Sequence, residues 1–209
     1  MSYQMTHLEV AYKLLAKYKW IDVQSDFLLG AIAPDAVHFH EEYSVKLKEQ
    51  SHLWDCGPRW GITLDSDQWK RNVLDFWDKH KTDFNKDYIA GYCVHILTDW
   101  FNDIKIWSPF RNQNEIYSIY GQEAYKGDQW LFHHSNFSEK IMCMLAESRA
   151  YSIDGCILQE DVEIQKKHIL SEQYKGKDNY DIGEHRYCTE SVITSFIDEC
   201  VEILADILM

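Results

Sequence analysis

His95 and Asp99 stand four residues apart in the most regular helical stretch of the chain. That spacing puts an imidazole and a carboxylate on one helix face, beside an apolar stripe, where both can reach a single ion. Taken alone, such a pair also fits a His–Asp contact on a wet helix face, so its company matters. His7 shares a face of the first helix with Ala11, Leu14 and Tyr18 and so points inward, where an imidazole is costly unless hydrogen-bonded or metal-bound. Asp35 emerges just after the apolar run that ends in Pro34; an acid there needs a cation or helix-end amides. His52 lies with Trp54 and Asp55 among aromatics in an irregular stretch. His38 and His40, the pair His133 and His134, and the acids Glu123, Asp128 and Glu139 are further residues that could join such a site.

The elements that must position these groups are helices. Thr6 and Glu9 have the spacing of a capping box, and Ala11, Leu14, Leu15 and Tyr18 follow at helical intervals, predicting a first helix to about Lys19. A second apolar run, Asp26 to Ala33, is closed by Pro34. From His38 to Asp65 the pattern is irregular, with turns at Gly57, Pro58 and Gly61, and reads as a long functional loop with one short helix near Val45 to Leu53. Helical periodicity returns over Asp67 to Lys79 and is strongest over Asp87 to Trp107, where Ile89, Tyr92, Cys93, Ile96, Trp100 and Ile104 form one stripe. After a turn at Ser108 and Pro109, helices are expected over Asn114–Ala124, Asp128–Ala150, a polar stretch from Gly155 to about Lys175, and Thr189–Leu208. An exposed loop is expected over Tyr174–Gly183. The chain reads as a single all-α domain, residues 1–209, of about seven helices, with no repeat, no βαβ alternation and no Gly-rich phosphate loop.

Composition narrows the function classes. The 34 acidic residues outnumber 21 basic ones, and a formal charge of -13 repels polyphosphate backbones, which argues against generic nucleic-acid binding. There is no apolar stretch of membrane-span length and no signal-peptide pattern at the N-terminus, so a cytoplasmic protein without a transmembrane segment is expected. Six scattered cysteines without a CxxC pair indicate neither a thiolate zinc site nor a redox motif, and read as free thiols.

The order of these elements resembles the zinc-dependent phospholipase C-like proteins, whose fold is related to the single-strand-specific zinc nucleases. The resemblance is carried by Thr6-His7-Leu8-Glu9-Val10-Ala11, by Phe27-Leu28-Leu29-Gly30-Ala31-Ile32-Ala33-Pro34-Asp35, by His52, and by Gly91-Tyr92-Cys93-Val94-His95-Ile96-Leu97-Thr98-Asp99. It spans the first half of the chain and points to a short cytosolic, bacterial-type member. It implies that Asp35, His52, His95 and Asp99 hold one ion, while His7 and a shared Asp99 hold a second. Neutral imidazoles and carboxylates suit Zn²⁺, other divalent metals being compatible, and a carboxylate can bridge ions about 3.5–4 Å apart. The implied activity is hydrolysis of a small-molecule or lipid-like phosphoester by a metal-activated water, with Asp35 orienting or deprotonating that water.

The likeness stops at three places. Secreted members expose an N-terminal Trp ligand, whereas this chain begins Met1-Ser2. Their third site uses a histidine soon after the HxxxD, where Lys105 stands here, and then an HxxxE. For that HxxxE only His133, His134 and Glu139 are comparable, at different spacing, with Glu123 and Asp128 as further carboxylates. Two other readings remain open. An HD-type phosphohydrolase is also helical and His/Asp-based but needs an adjacent His-Asp dipeptide, which the chain lacks. The other is a non-catalytic helical interaction protein with a structural metal or none. The substrate and the oligomeric state are not legible.

Overall fold

Helix α5, Lys86–Asn102, is the axis around which the other elements pack, because every residue from Asp87 to Asn102 is buried. The single apolar stripe expected there is thus surrounded on all sides, by α1 (Gln4–Leu14), α2 (Gln24–Gly30), α4 (Ser66–His80), α10 (Glu190–Leu204) and a 3₁₀ segment, Ala33–Phe39. A helix enclosed all round carries even its polar residues inside, which is how His95 and Asp99 come to lie in the core. The computed structural model describes residues 3–111, 117–176, 182–183 and 185–208.

The remaining helices are α3 (Val45–Ser51), α6 (Ser108–Arg111), α7 (Tyr117–His134), α8 (Ser138–Glu147) and α9 (Gln159–His168). The expectation of about seven helices is therefore too low: the described residues form ten α-helices, and no strand beyond an isolated bridge between Ile153 and Ile157. Two local effects account for much of the difference. The helix expected over Asp128–Ala150 is divided, because Ser135 Oγ accepts the Phe137 N–H and Ser138 Oγ donates to the Phe132 carbonyl, offering the backbone an alternative to helical bonds. The turn expected at Ser108 and Pro109 is instead a further helix. A π-helical stretch, Asp103–Trp107, continues α5, and Pro109 falls in the first turn of α6, where its missing N–H is not needed. The part of the expected Asn114–Ala124 helix before Tyr117, and positions 177–181 of the expected Tyr174–Gly183 loop, lie outside the described residues.

The capping box read at Thr6 and Glu9 is not formed. α1 starts two residues before Thr6, with Tyr3 at its N-cap and no side-chain cap, and the Met5 N–H donates at 2.7 Å to Asp128 Oδ1 of α7. A carboxylate from a distant helix thus does what a local cap does elsewhere. Where local caps occur they follow the expected chemistry: Ser44 for α3, Asp65 for α4 and Thr189 for α10.

The crossing of α2 and α5 sets the position of the site. A Cβ on Gly91 would collide with the Phe27 carbonyl, and one on Gly30 with the Tyr88 carbonyl, so two glycines let the helix backbones touch. One hydrophobic cluster runs through the whole fold from Met5 to Leu208. Among the described residues no helix is long and apolar enough to cross a membrane, and all six cysteines are free thiols.

Candidate metal centre

Each element delivers one or two polar groups to the same buried point. α1 brings His7 from its second turn, and the Pro34-initiated 3₁₀ segment brings Asp35. His52 caps the C-terminus of α3, and α5 contributes His95 and Asp99 from adjacent turns. The structure brings all five residues together, and the three histidines are fully buried.

The distances describe a cluster of donors around small gaps. His52 Nε2 lies 3.5 Å from Asp35 Oδ1 and 3.6 Å from Asp99 Oδ2, and His95 Nε2 lies 3.9 Å from each of the same two oxygens. On the other side of Asp99, Oδ1 lies 3.5 Å from His7 Nε2. These separations are too long for strong hydrogen bonds. They approach the roughly 3.3–3.5 Å between two donors that share a tetrahedral zinc at about 2.0–2.1 Å. Donor atoms of His7, His95 and Asp99, and those of Asp35, His52 and His95, fall within 4.8 Å of one another, so either group could hold an ion. His95 belongs to both, a sharing that the sequence did not suggest.

The outer partners fix which nitrogen faces the gap. His95 Nδ1 lies 2.8 Å from the Ala31 carbonyl, which can only accept, so Nδ1 carries the proton and Nε2 a lone pair. Ser51 Oγ donates to the Lys48 carbonyl at 3.1 Å, which leaves its oxygen to accept from His52 Nδ1 at 2.9 Å. His52 Nε2 is therefore also a bare lone pair. Neither of these Nε2 atoms, nor either ring nitrogen of His7, has a hydrogen-bond partner, although all are buried. The His7 ring stacks on that of His95 with centroids 3.7 Å apart. Buried polar atoms are rarely left unpaired, and three imidazoles converging on two carboxylates in this condition have the composition of a metal site.

The protonation states suit the same purpose. Burial pushes His52 down to about 4, with Lys48 adding to the effect, and burial beside His7 holds His95 well below the ordinary imidazole value. Burial works against ionising Asp35, yet Lys48, His52 and His95 keep its carboxyl well below the usual range. Asp99 is likewise held low against its burial, chiefly by His7 and His95. Neutral imidazoles and ionised carboxylates are the forms that bind metal.

No family model, curated protein or solved structure matches the chain. What can be said of the centre thus rests on its own geometry and surroundings.

Of the five residues, Asp99 alone lines the aromatic cavity beside the centre. Its walls include Trp54, Trp60, Trp69 and Trp107, with Asn102 and Asp103 one turn beyond Asp99. Sequence reasoning missed Trp69, Trp107 and Tyr120 as lining residues of this cavity. Lys48 was also missed. It is buried, its Nζ donates to Asp35 Oδ1, and its i,i+4 spacing to His52 was the signal available.

The other candidate residues have different engagements. His38 Nε2 flanks Asp35 at 3.9 Å from an exposed position, and His40 Nδ1 pairs with Asp161 at 2.9 Å. His134 Nδ1 donates to the Trp130 carbonyl at 2.8 Å, and His133 packs edge-on against Phe132. Glu123 accepts the backbone N–H groups of Arg186, Tyr187 and Cys188, Glu139 lies in the first turn of α8, and Lys105 pairs with Glu199. Asp128 accepts from Met5 and Tyr174, and burial raises it to about 6.

Proposed function

We propose that this protein is a metal-dependent hydrolase, with one or two zinc ions held by His7, Asp35, His52, His95 and Asp99, acting on a small-molecule or lipid-like phosphoester. The observation that carries the reading is the convergence of bare, buried imidazole Nε2 atoms on Asp35 and Asp99. The zinc phospholipase C-like resemblance of the sequence agrees with that donor set. A bound zinc supplies Lewis acidity and brings deprotonation of a water toward neutral pH.

The chain's own residues then divide the work. Asp35, His52, His95 and Asp99 make a four-donor set, and a set of four protein donors by itself is the pattern of a structural site. His95 has a single free lone pair, and with it given to that set His7 and Asp99 Oδ1 are left as two donors, so the open positions needed for turnover would lie on that side. Asp99 also faces the aromatic cavity, which gives a substrate its approach to them. Asp35, held ionised, could orient a metal-activated water or take its proton. The indole walls exclude water and pack an apolar or ring-bearing part of the substrate. In keeping with the sequence, the proposal sets the enzyme in the cytoplasm.

The test is hydrolysis of a generic aryl phosphodiester by protein purified without chelator, before and after metal depletion and after zinc is restored. Turnover lost with the metal and regained with it supports the hydrolase. Bound metal with no turnover on any phosphoester favours the structural reading that the four-donor set would also satisfy.

A further inference from the structure

Lys48 is 2% exposed, an unusual place for an ammonium, and the machinery above does not use it. It sits one turn before His52 on α3, and its Nζ donates to Asp35 Oδ1, the same oxygen that His52 Nε2 faces at 3.5 Å and His95 Nε2 at 3.9 Å. Asp35 Oδ2 is engaged separately, by Gln4 Nε2 at 3.3 Å. A metal ion bound between the two imidazoles and Asp35 needs a lone pair of Oδ1, and it brings two positive charges beside a fixed one. An ammonium and a dication sharing one carboxylate oxygen in a dry site repel strongly. The ring of Trp60 offers the ammonium another place, since Nζ already lies 5.4 Å from its centroid, toward the aromatic cavity.

We propose that Lys48 is an internal competitor for the metal: its ion pair with Asp35 must be weakened or broken for an ion to bind, so Lys48 sets the metal affinity of the centre. The inference rests on the reading of Asp35 as a ligand. It differs from a purely structural role for Lys48 in the sign of its effect. A structural lysine lowers metal affinity when removed, because the ligands lose their positions, whereas a competing lysine raises it.

The experiment is titration of the full chain, stripped of metal, with Zn²⁺ against a chromophoric chelator, repeated with Co²⁺ for its ligand-field spectrum. Lys48→Gln removes the charge and keeps a donor for Asp35; Lys48→Arg keeps the charge. The expected result is zinc affinity about tenfold or more tighter in Lys48→Gln, with Lys48→Arg close to the natural protein and the Co²⁺ spectrum unchanged in form. If stripped Lys48→Gln is unfolded, its zinc-driven refolding followed by circular dichroism is read instead, and refolding at stoichiometric zinc supports the proposal. Equal or weaker affinity in Lys48→Gln, or no refolding with zinc, overturns it while leaving the metal centre intact if the natural protein still binds. No zinc binding by the natural protein overturns both the competitor and the metal centre.

Discussion

His95 Nδ1 lies 2.8 Å from the Ala31 carbonyl oxygen, and this one contact ties the candidate metal centre to the crossing of α2 and α5. The carbonyl comes within reach because Gly30 and Gly91 let α2 and α5 meet backbone to backbone. The bond fixes the tautomer of His95 and aims its Nε2 at Asp35 and Asp99. A packing feature thus sets a protonation state.

Gly91→Ala tests that link. The added methyl meets the Phe27 carbonyl, a backbone atom that cannot swing aside, so the helices separate. The expected loss is about 3 kcal/mol of stability in urea unfolding, at the upper end of ordinary overpacking. Zinc affinity falls with it, because Ala31 no longer holds His95. A variant as stable as the natural protein would mean that the crossing has slack.

The stability of the metal-stripped protein should depend on pH through His52. Its folded value of about 4 is depressed from the ordinary 6.5, so between these values the unfolded chain binds a proton that the folded chain does not. Stability is then fully present above about 6.5 and is lost as pH falls toward 4, by about 3 kcal/mol from this group. Urea midpoints of the natural protein and His52→Asn at pH 7.5, 6 and 5 check this. The fall should be shallower in the variant, and parallel curves would contradict the assignment.

Asp128 caps α1 from α7 while accepting the Tyr174 hydroxyl at 3.0 Å. Asp128→Ala removes the acceptor that the Met5 N–H and the Tyr174 hydroxyl share, and the expected destabilisation is about 2–3 kcal/mol, seen as a lower Tm. Because α1 carries His7, zinc stoichiometry should fall toward one per chain while the four-donor set stays loaded. Two tightly bound ions in this variant would show that His7 keeps its place without the cap.

Much of this was legible from residue types and order. The strongest helical periodicity marked α5 as central, and the order His7, Asp35, His52, His95, Asp99 picked out the five residues that meet. What was not legible depends on groups far apart in sequence. The Thr6–Glu9 pattern looked like a cap, but the orphan amide of α1 found Asp128 instead, and no local signal announces a partner 123 residues away. The break after His134 turned on serine side chains competing for backbone groups, which periodicity does not register. Lys48 falls in the short helix expected near Val45 to Leu53, where the sequence pattern gives no sign of its burial; only the fold shows it buried against Asp35.

The most direct test of the central claim is metal content by elemental analysis of untagged protein purified without chelator, compared with His95→Ala and Asp99→Ala. The account predicts one or two zinc ions per chain in the natural protein. It predicts near-complete loss in both variants, with lower stability where the remaining charged groups are left buried without their partners. Metal content unchanged by either substitution, or no metal in the natural protein under zinc-replete conditions, would contradict it.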